Sequence, residues 1–183
     1  DITGPVTQSI AIRLNAAYED AGSFRDTLDS KKLVASPSIL AVLTEDTTLS
    51  YEMEYVNQKV PFDRGIVAVN GNLGALPISR FLGEPGDGPI EIDVLGHQVQ
   101  LQHDLNDNWS LLLGGSYKET SFEGFSTEAE LAAGRQPLNS TNRYLSRQRR
   151  QRDYDTEHAV VRGELSGTFN TGGITHHLIT GAD

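Results

Sequence analysis

The sequence predicts an all-β fold, an antiparallel up-and-down meander of about seven strands. Segments in which apolar and polar side chains alternate end in short polar turns at residues 44–48, 106–108 and 170–173. Between these turns the chain makes long excursions, at residues 60–89 and 122–155. Short connections at one end of a sheet and long connections at the other are typical of outer-membrane β-barrels.

The first three strands are predicted at residues 8–19, 32–43 and about 48–58. Pro37 lies inside the second strand, where it indicates a bulge or a weakly paired position. In the third strand Glu52 and Glu54 alternate with apolar residues, and a helix would mix the two groups. The first strand has the two-residue period of a strand with one apolar face, formed by Ile10, Ile12, Leu14, Ala16 and Tyr18.

The last four strands are predicted to begin near residues 90, 109, 158 and 174. Trp109 directly follows a tight turn, so its amphipathic ring is expected at a membrane–water interface. The alternative is a tryptophan that caps the core of a soluble protein. The loop of residues 61–89 is rich in Gly and Pro, which favours irregular structure.

A short helix is predicted inside the second excursion. Thr127 and Glu130 have the spacing of a capping box, residues 131–133 favour helix, and Gly134 can end it. An Arg-rich stretch follows at residues 143–152.

Composition excludes several classes of function. The formal net charge of −10 argues against nucleic acid as a partner, because phosphate binding requires clustered positive charge. The chain has no Cys, which excludes disulfides and thiol catalysis. The sequence contains no run of 18 apolar residues, so no membrane-spanning helix is predicted. A barrel strand, however, places only every second residue in lipid, so low hydropathy is compatible with a membrane protein.

Six stretches of the sequence share an order and spacing that resemble the early barrel of TonB-dependent siderophore receptors. The longest is RLNAAYEDAGSFRD at residues 13–26, and the resemblance covers nearly the whole chain. The other five are PFDRG at 61–65, LPISRFLGEP at 76–85, LNDNW at 105–109, RRQRD at 149–153 and FNTGGI at 169–174.

The resemblance implies a 22-stranded barrel in the outer membrane of a Gram-negative bacterium, with an N-terminal plug in its lumen. It also implies a receptor that binds a ferric siderophore at the outer face and draws energy through TonB, which contacts the plug region. Residues 1–183 are then expected to be a partial barrel domain, roughly its first third, without the plug. The ferric siderophore is cargo, so no cofactor is expected, and lipid is the second partner.

The Arg-rich stretch supplies two candidate ligand-binding residues, Arg149 and Arg150. A guanidinium can donate two parallel hydrogen bonds to oxygens of an anionic chelate or of a lipid phosphate. The alternative is a solvated strand extension whose arginines pair with the neighbouring acidic residues Asp153, Asp155 and Glu157.

The first long loop supplies four further candidates: Phe62, Arg64, Arg80 and Phe81. Aromatic rings beside cations could line the mouth of a chelate site. The alternative is that Phe62 and Phe81 pack the loop against itself while Asp63 pairs with Arg64.

The sequence carries no signature of an enzyme or of a metal site. A nucleophile elbow, a phosphate loop and a metalloprotease helix are all missing from it. His176 and His177 are adjacent, so a strand points them to opposite faces. The rival functions are a passive porin-type channel and a soluble β-rich binding or adhesion module. A cut barrel exposes two strand edges and an apolar outer face. We therefore expect an open antiparallel sheet that associates with neighbours or covers its apolar surface with its long loops.

Overall fold

The computed structural model describes residues 1–130 and 143–183, which form one antiparallel sheet. Its strands lie side by side in chain order, so each connection joins neighbours. A single 3-10 turn, Pro85–Asp87, is found in the described loops. The strands are β1 Ile2–Pro5, β2 Ile10–Gly22, β3 Asp29–Thr44, β4 Thr47–Val60, β5 Ile90–Asn106, β6 Trp109–Ala129, β7 Arg147–Thr171 and β8 Ile174–Ala182.

The connections segregate by length between the two ends of the sheet. At one end, the turn end, β3–β4, β5–β6 and β7–β8 are joined by two residues each, and β1–β2 by residues 6–9. Gly172 has φ +61° in one of these turns, a conformation that two-residue hairpins require and glycine adopts without strain. The opposite end, the loop end, carries residues 23–28 and 61–89 and the connection from β6 to β7, of which residue 130 and residues 143–146 are described. The predicted asymmetry is therefore confirmed.

The two faces of the sheet differ in chemistry, as the alternation predicts. The register places Ile12, Ile39, Tyr51, Val99 and Val161 on one side, the apolar face. It places Arg13, Glu52, Glu54, Lys118 and Arg162 on the other, the polar face.

The apolar face is not buried within the described residues. Val161 is 78% exposed, and among the described residues only Ile90 and Ala129 are buried apolar side chains. Strands β1 and β8 form the edges of the sheet, so the predicted open sheet is confirmed, whereas its association with neighbours stays a prediction. A soluble module would instead cover such a face with a second layer.

On the polar face, Lys118 Nζ lies 3.1 Å from Glu54 Oε2. The two side chains meet across Gly96, which pairs with Glu54 on one side and with Lys118 on the other. These two charges therefore neutralise each other across the strand that lies between them.

The structure corrects the prediction at three places. Strand β1 is additional, and β6 and β7 extend well into the region predicted as an excursion. Thr127 lies in β6, so the predicted helix start is wrong, and residues 131–134 lie outside the described residues. At Pro37 the structure shows the weakly paired position and not the bulge, because the β3–β4 ladder has no pairs at Ser36 and Pro37 and resumes at Ser38 in the same register.

None of the described residues belongs to a helix long and apolar enough to cross a bilayer.

Candidate ligand-binding site

At the loop end of the sheet, β6 and β7 extend past the end of β5 and pair with each other. Their pairing keeps one register from Trp109↔Gly167 to Ala129↔Arg147. Because the register does not shift, side chains keep the face that they have in the body of the sheet. Arg150 and Arg152 therefore continue the polar face, and Arg149 continues the apolar face.

Glu128 on β6 is the centre of a basic cluster, defined as Arg64, Arg150, Arg152 and Glu128. The Glu128 carboxylate is buried. Arg150 Nε lies 3.1 Å and Arg152 Nη2 3.2 Å from its Oε1 atom, and Arg64 Nε pairs with Oε2. One carboxylate thus gathers guanidinium groups from a loop and a strand.

The ring of Phe62 contacts two arginines of this cluster. Its ring centroid lies 4.4 Å from the guanidinium carbon of Arg152 and 5.9 Å from that of Arg64, which are cation–π distances. The structure therefore brings three of the predicted residues together: Phe62, Arg64 and Arg150.

Arg149 makes a separate contact on the other face. Its Nε donates to Asp87 Oδ1 at 2.7 Å, and Thr127 Oγ1 donates to Asp87 Oδ2 at 2.6 Å. Burial acts to raise the pKa of Asp87, but the hydrogen bonds from Thr127 and Arg149 outweigh it, so this pKa lies below its usual value. The guanidinium also lies 4.0 Å from the centroid of the Phe125 ring. Arg149 thus fastens the end of the long loop to the sheet.

The remaining predicted residues, Arg80 and Phe81, lie apart from the cluster. The Arg80 side chain is exposed, and its carbonyl accepts a hydrogen bond from Arg25 Nη1 at 3.4 Å. The Phe81 ring lies so close to Gly83 that a Cβ there would come within 2.2 Å of it. For Phe81 the structure favours packing within the loop.

The predicted charge partners are replaced by others. Arg149 and Arg150 pair with Asp87 and Glu128, not with the acidic residues that follow them in β7. Asp63 pairs with Arg25 at 2.8 Å, not with its neighbour Arg64.

Sequence reasoning missed the residues that organise the site. Arg25, Asp87, Glu128 and Arg152 come from four separate segments. Only Arg152 carried a signal, as part of the Arg-rich stretch. The contacts of the others join residues between 22 and 64 positions apart in the chain, which no local pattern encodes.

A cavity of about 280 Å³ lies beside the basic cluster. Its lining combines the apolar residues Phe62, Ile66, Val67 and Leu82 with the charged residues Arg64 and Glu128. Among the described residues no group of three His, Asp or Glu side chains is placed to share a metal ion.

The chain is similar in sequence to the metal-pseudopaline receptor CntO of Pseudomonas aeruginosa. It is 37% identical over 186 residues in strains UCBPP-PA14 and PAO1, which covers 100% of this chain and 25% of the relative. The chain thus spans about a quarter of the length of the curated relatives it matches. No family model matches the chain.

Solved receptor structures share the fold. The ferric-catecholate import receptor Fiu of Escherichia coli K12 matches with a TM-score of 0.83 at 22% identity, over 99% of this chain and 28% of that one. The siderophore receptor PiuA from Acinetobacter baumannii gives 0.80 at 19% identity, over 98% and 26%. The outer-membrane ferripyoverdine receptor of Pseudomonas aeruginosa gives 0.78 at 20% identity, over 98% and 24%. These comparisons confirm the resemblance to TonB-dependent siderophore receptors.

Proposed function

We propose that this chain, a barrel segment of the TonB-dependent siderophore-receptor type, belongs to an outer-membrane receptor that binds and imports ferric siderophores with energy coupled through TonB. The observation that carries the proposal is the sheet itself: one exposed apolar face, one charged face, and long loops at one end only. Residues 1–183 then form part of a barrel domain in a Gram-negative outer membrane.

The dimensions of the apolar face support a position in the membrane. Along β6 it begins at Trp109, beside the tight turn, and is bounded by the charged residue Glu119, ten positions further on. Ten residues of strand rise about 33 Å, which a barrel tilt of about 40° reduces to about 25 Å across the bilayer. Trp109 stacks with Phe169 at a centroid distance of 6.4 Å, and such aromatic rings suit the interface. Lipid is therefore the partner of this face.

The polar face is then the wall of the lumen. Paired charges such as Glu54 and Lys118 suit a surface that meets water and a plug. The plug and its contact with TonB belong to the receptor as a whole, of which this chain represents about a quarter. The segment contributes the wall against which the plug rearranges.

The loop end is proposed to face the exterior and to receive the ligand. Its cations and aromatic ring can bind an anionic chelate without forming a covalent bond. The chelate carries its own metal as cargo, so the receptor wall needs no cofactor. Transport then consists of binding at the loop end followed by release into the lumen.

Growth on individual iron chelates tests this proposal. A strain that lacks the gene for the whole receptor should lose growth on at least one ferric siderophore, and loss of TonB should reproduce that defect. Uptake that persists without TonB would indicate a passive channel and contradict the proposal.

A further inference from the structure

The basic cluster carries more positive charge than its one carboxylate neutralises. Three guanidinium groups share Glu128, which leaves two positive charges in excess among these four residues. Arg152 is bound on two sides, since its Nε also donates to Ser126 Oγ at 3.2 Å. The cluster is therefore built around a fixed arginine and a fixed carboxylate.

Arg64 and Arg150 differ from Arg152 in their access to solvent. Their side chains are 42% and 46% exposed. Each guanidinium has five N–H donors, and the described contact of each with Glu128 uses Nε. These part-exposed side chains therefore have further N–H groups with which to meet a second acceptor.

Glu128 indicates which acceptor these donors suit. A carboxylate matches the planar fork of a guanidinium, and such charge-assisted pairs are among the stronger hydrogen bonds in proteins. Because Glu128 is buried and cannot leave the cluster without breaking three ion pairs, it acts as a permanent counter-anion. It keeps two exposed guanidinium groups close together, which prepares them for a further carboxylate.

The adjoining cavity adds an apolar surface to this charge. Its volume of about 280 Å³ lies near the lower end of the range for small-molecule pockets. It can accept part of a chelate while the charged part of the ligand meets the arginines. The site would thus recognise a ligand that has both an anionic group and an apolar part.

We propose that the basic cluster binds a carboxylate-bearing, anionic metal chelate, with Arg64 and Arg150 donating to the ligand carboxylate. This inference rests on the proposed function and names the ligand class of that site. Lipid phosphate is the other anion available to an outer-membrane arginine. However, the register directs Arg150 to the polar face and Arg149 to the apolar face, where lipid lies.

The affinity of the purified, full-length receptor for four iron complexes tests the ligand class. Ferric citrate and ferric rhizoferrin carry carboxylates, whereas a ferric tris-catecholate and ferrioxamine B do not. We expect one of the carboxylate complexes to bind most tightly. Tightest binding of a carboxylate-free complex would overturn this inference and leave the proposed function standing. Binding of none of the four, together with growth that needs no chelate, would overturn both.

Two variants then test the assignment of residues. The double variant Arg64→Gln, Arg150→Gln removes both proposed contacts and should raise the Kd for the carboxylate complex at least tenfold. Arg162→Gln, on the polar face of the same strand but far from the long loop and paired with Glu164, should leave it within twofold. If the double variant does not fold, Arg150→Lys provides the test. This substitution keeps the positive charge but loses the planar guanidinium, so we expect weaker binding of the carboxylate complex. Unchanged affinity, or loss of bound lipopolysaccharide in place of the chelate, would overturn the assignment.

Discussion

Arg25 and Asp63, 38 positions apart in the chain, join two loops of the loop end through an ion pair. Arg25 Nε donates to Asp63 Oδ2 at 2.8 Å, and the two side chains are only 10% and 21% exposed. The same guanidinium donates to the carbonyl of Ile78. One side chain from the shorter loop therefore holds both limbs of the longer loop, next to Phe62 and Arg64.

Removing this pair is expected to loosen the long loop without unfolding the sheet. Arg25→Gln should speed hydrogen exchange in residues 61–65 and 76–82 about tenfold or more, since hydrogen bonds to charged groups contribute about 1.5–3 kcal/mol. Arg13→Gln is the matched control, because its pair with Asp1 is exposed and should contribute little. Equal protection in both variants would show that Arg25 does not organise the loop.

The contact of Asp87 with Thr127 and Arg149 is expected to weaken in acid. Because the pKa of Asp87 is lowered in the folded protein, its contribution is complete above the unfolded value of about 3.9 and is lost as pH falls through the folded value. A spin label on Gly86→Cys should therefore become more mobile only below about pH 4. In Asp87→Asn the label should be mobile at every pH. A label that stays immobile at pH 2 would contradict this account of the contact.

Val160 and Val161 test the two faces of the wall with adjacent residues. Val161 lies on the apolar face, about midway between Trp109 and Glu119 in the neighbouring strand, and Val160 lies on the polar face. Val161→Arg should lower the free energy of unfolding in lipid vesicles by about 2–4 kcal/mol, the cost of a cation at the bilayer midplane. Val160→Arg should cost much less, because its side chain meets water. Urea titration measures both values, and equal costs would argue against a lipid-facing side.

Gly167 is expected to be essential for the aromatic stack at the turn end. A Cβ at this position would come within 2.4 Å of the Trp109 ring. Gly167→Ala should therefore displace the ring from Phe169 and destabilise the receptor by about 1–3 kcal/mol, the usual cost of overpacking. Gly173→Ala is the control, since a Cβ there meets no atom within 4 Å. Tryptophan fluorescence compared with that of Trp109→Phe would report the displacement.

Strand faces could be predicted from the sequence because they depend on a local two-residue period. The assignment of Ile12, Tyr51 and Val99 to one face needed only alternation. The upper parts of β6 and β7 could not be predicted in this way. Beyond the apolar band charged residues stand on both of their faces, as at Glu128 and Arg147, so the two-residue period is lost and the segment looks like a loop.

The candidate site was only partly predictable for a related reason. Composition drew attention to Arg64 and Arg150 because cations and aromatic rings are distinctive residue types. Their common partner Glu128 could not be inferred, since the contact depends on the β6–β7 register and on the path of the long loop. The separation of Arg149 from Arg150 likewise required knowing that the strand continues through both residues.

The orientation of the wall tests the central claim most directly, and the absence of native Cys from this segment makes it measurable. Leu73 lies exposed in the long loop, and Asp107 lies in a tight turn at the opposite end. In intact cells a membrane-impermeant maleimide should label Leu73→Cys in the full-length receptor. It should label Asp107→Cys only after the outer membrane is permeabilised. Labelling of Asp107→Cys in intact cells, or no difference between the two positions, would contradict an outer-membrane wall with its loops outside.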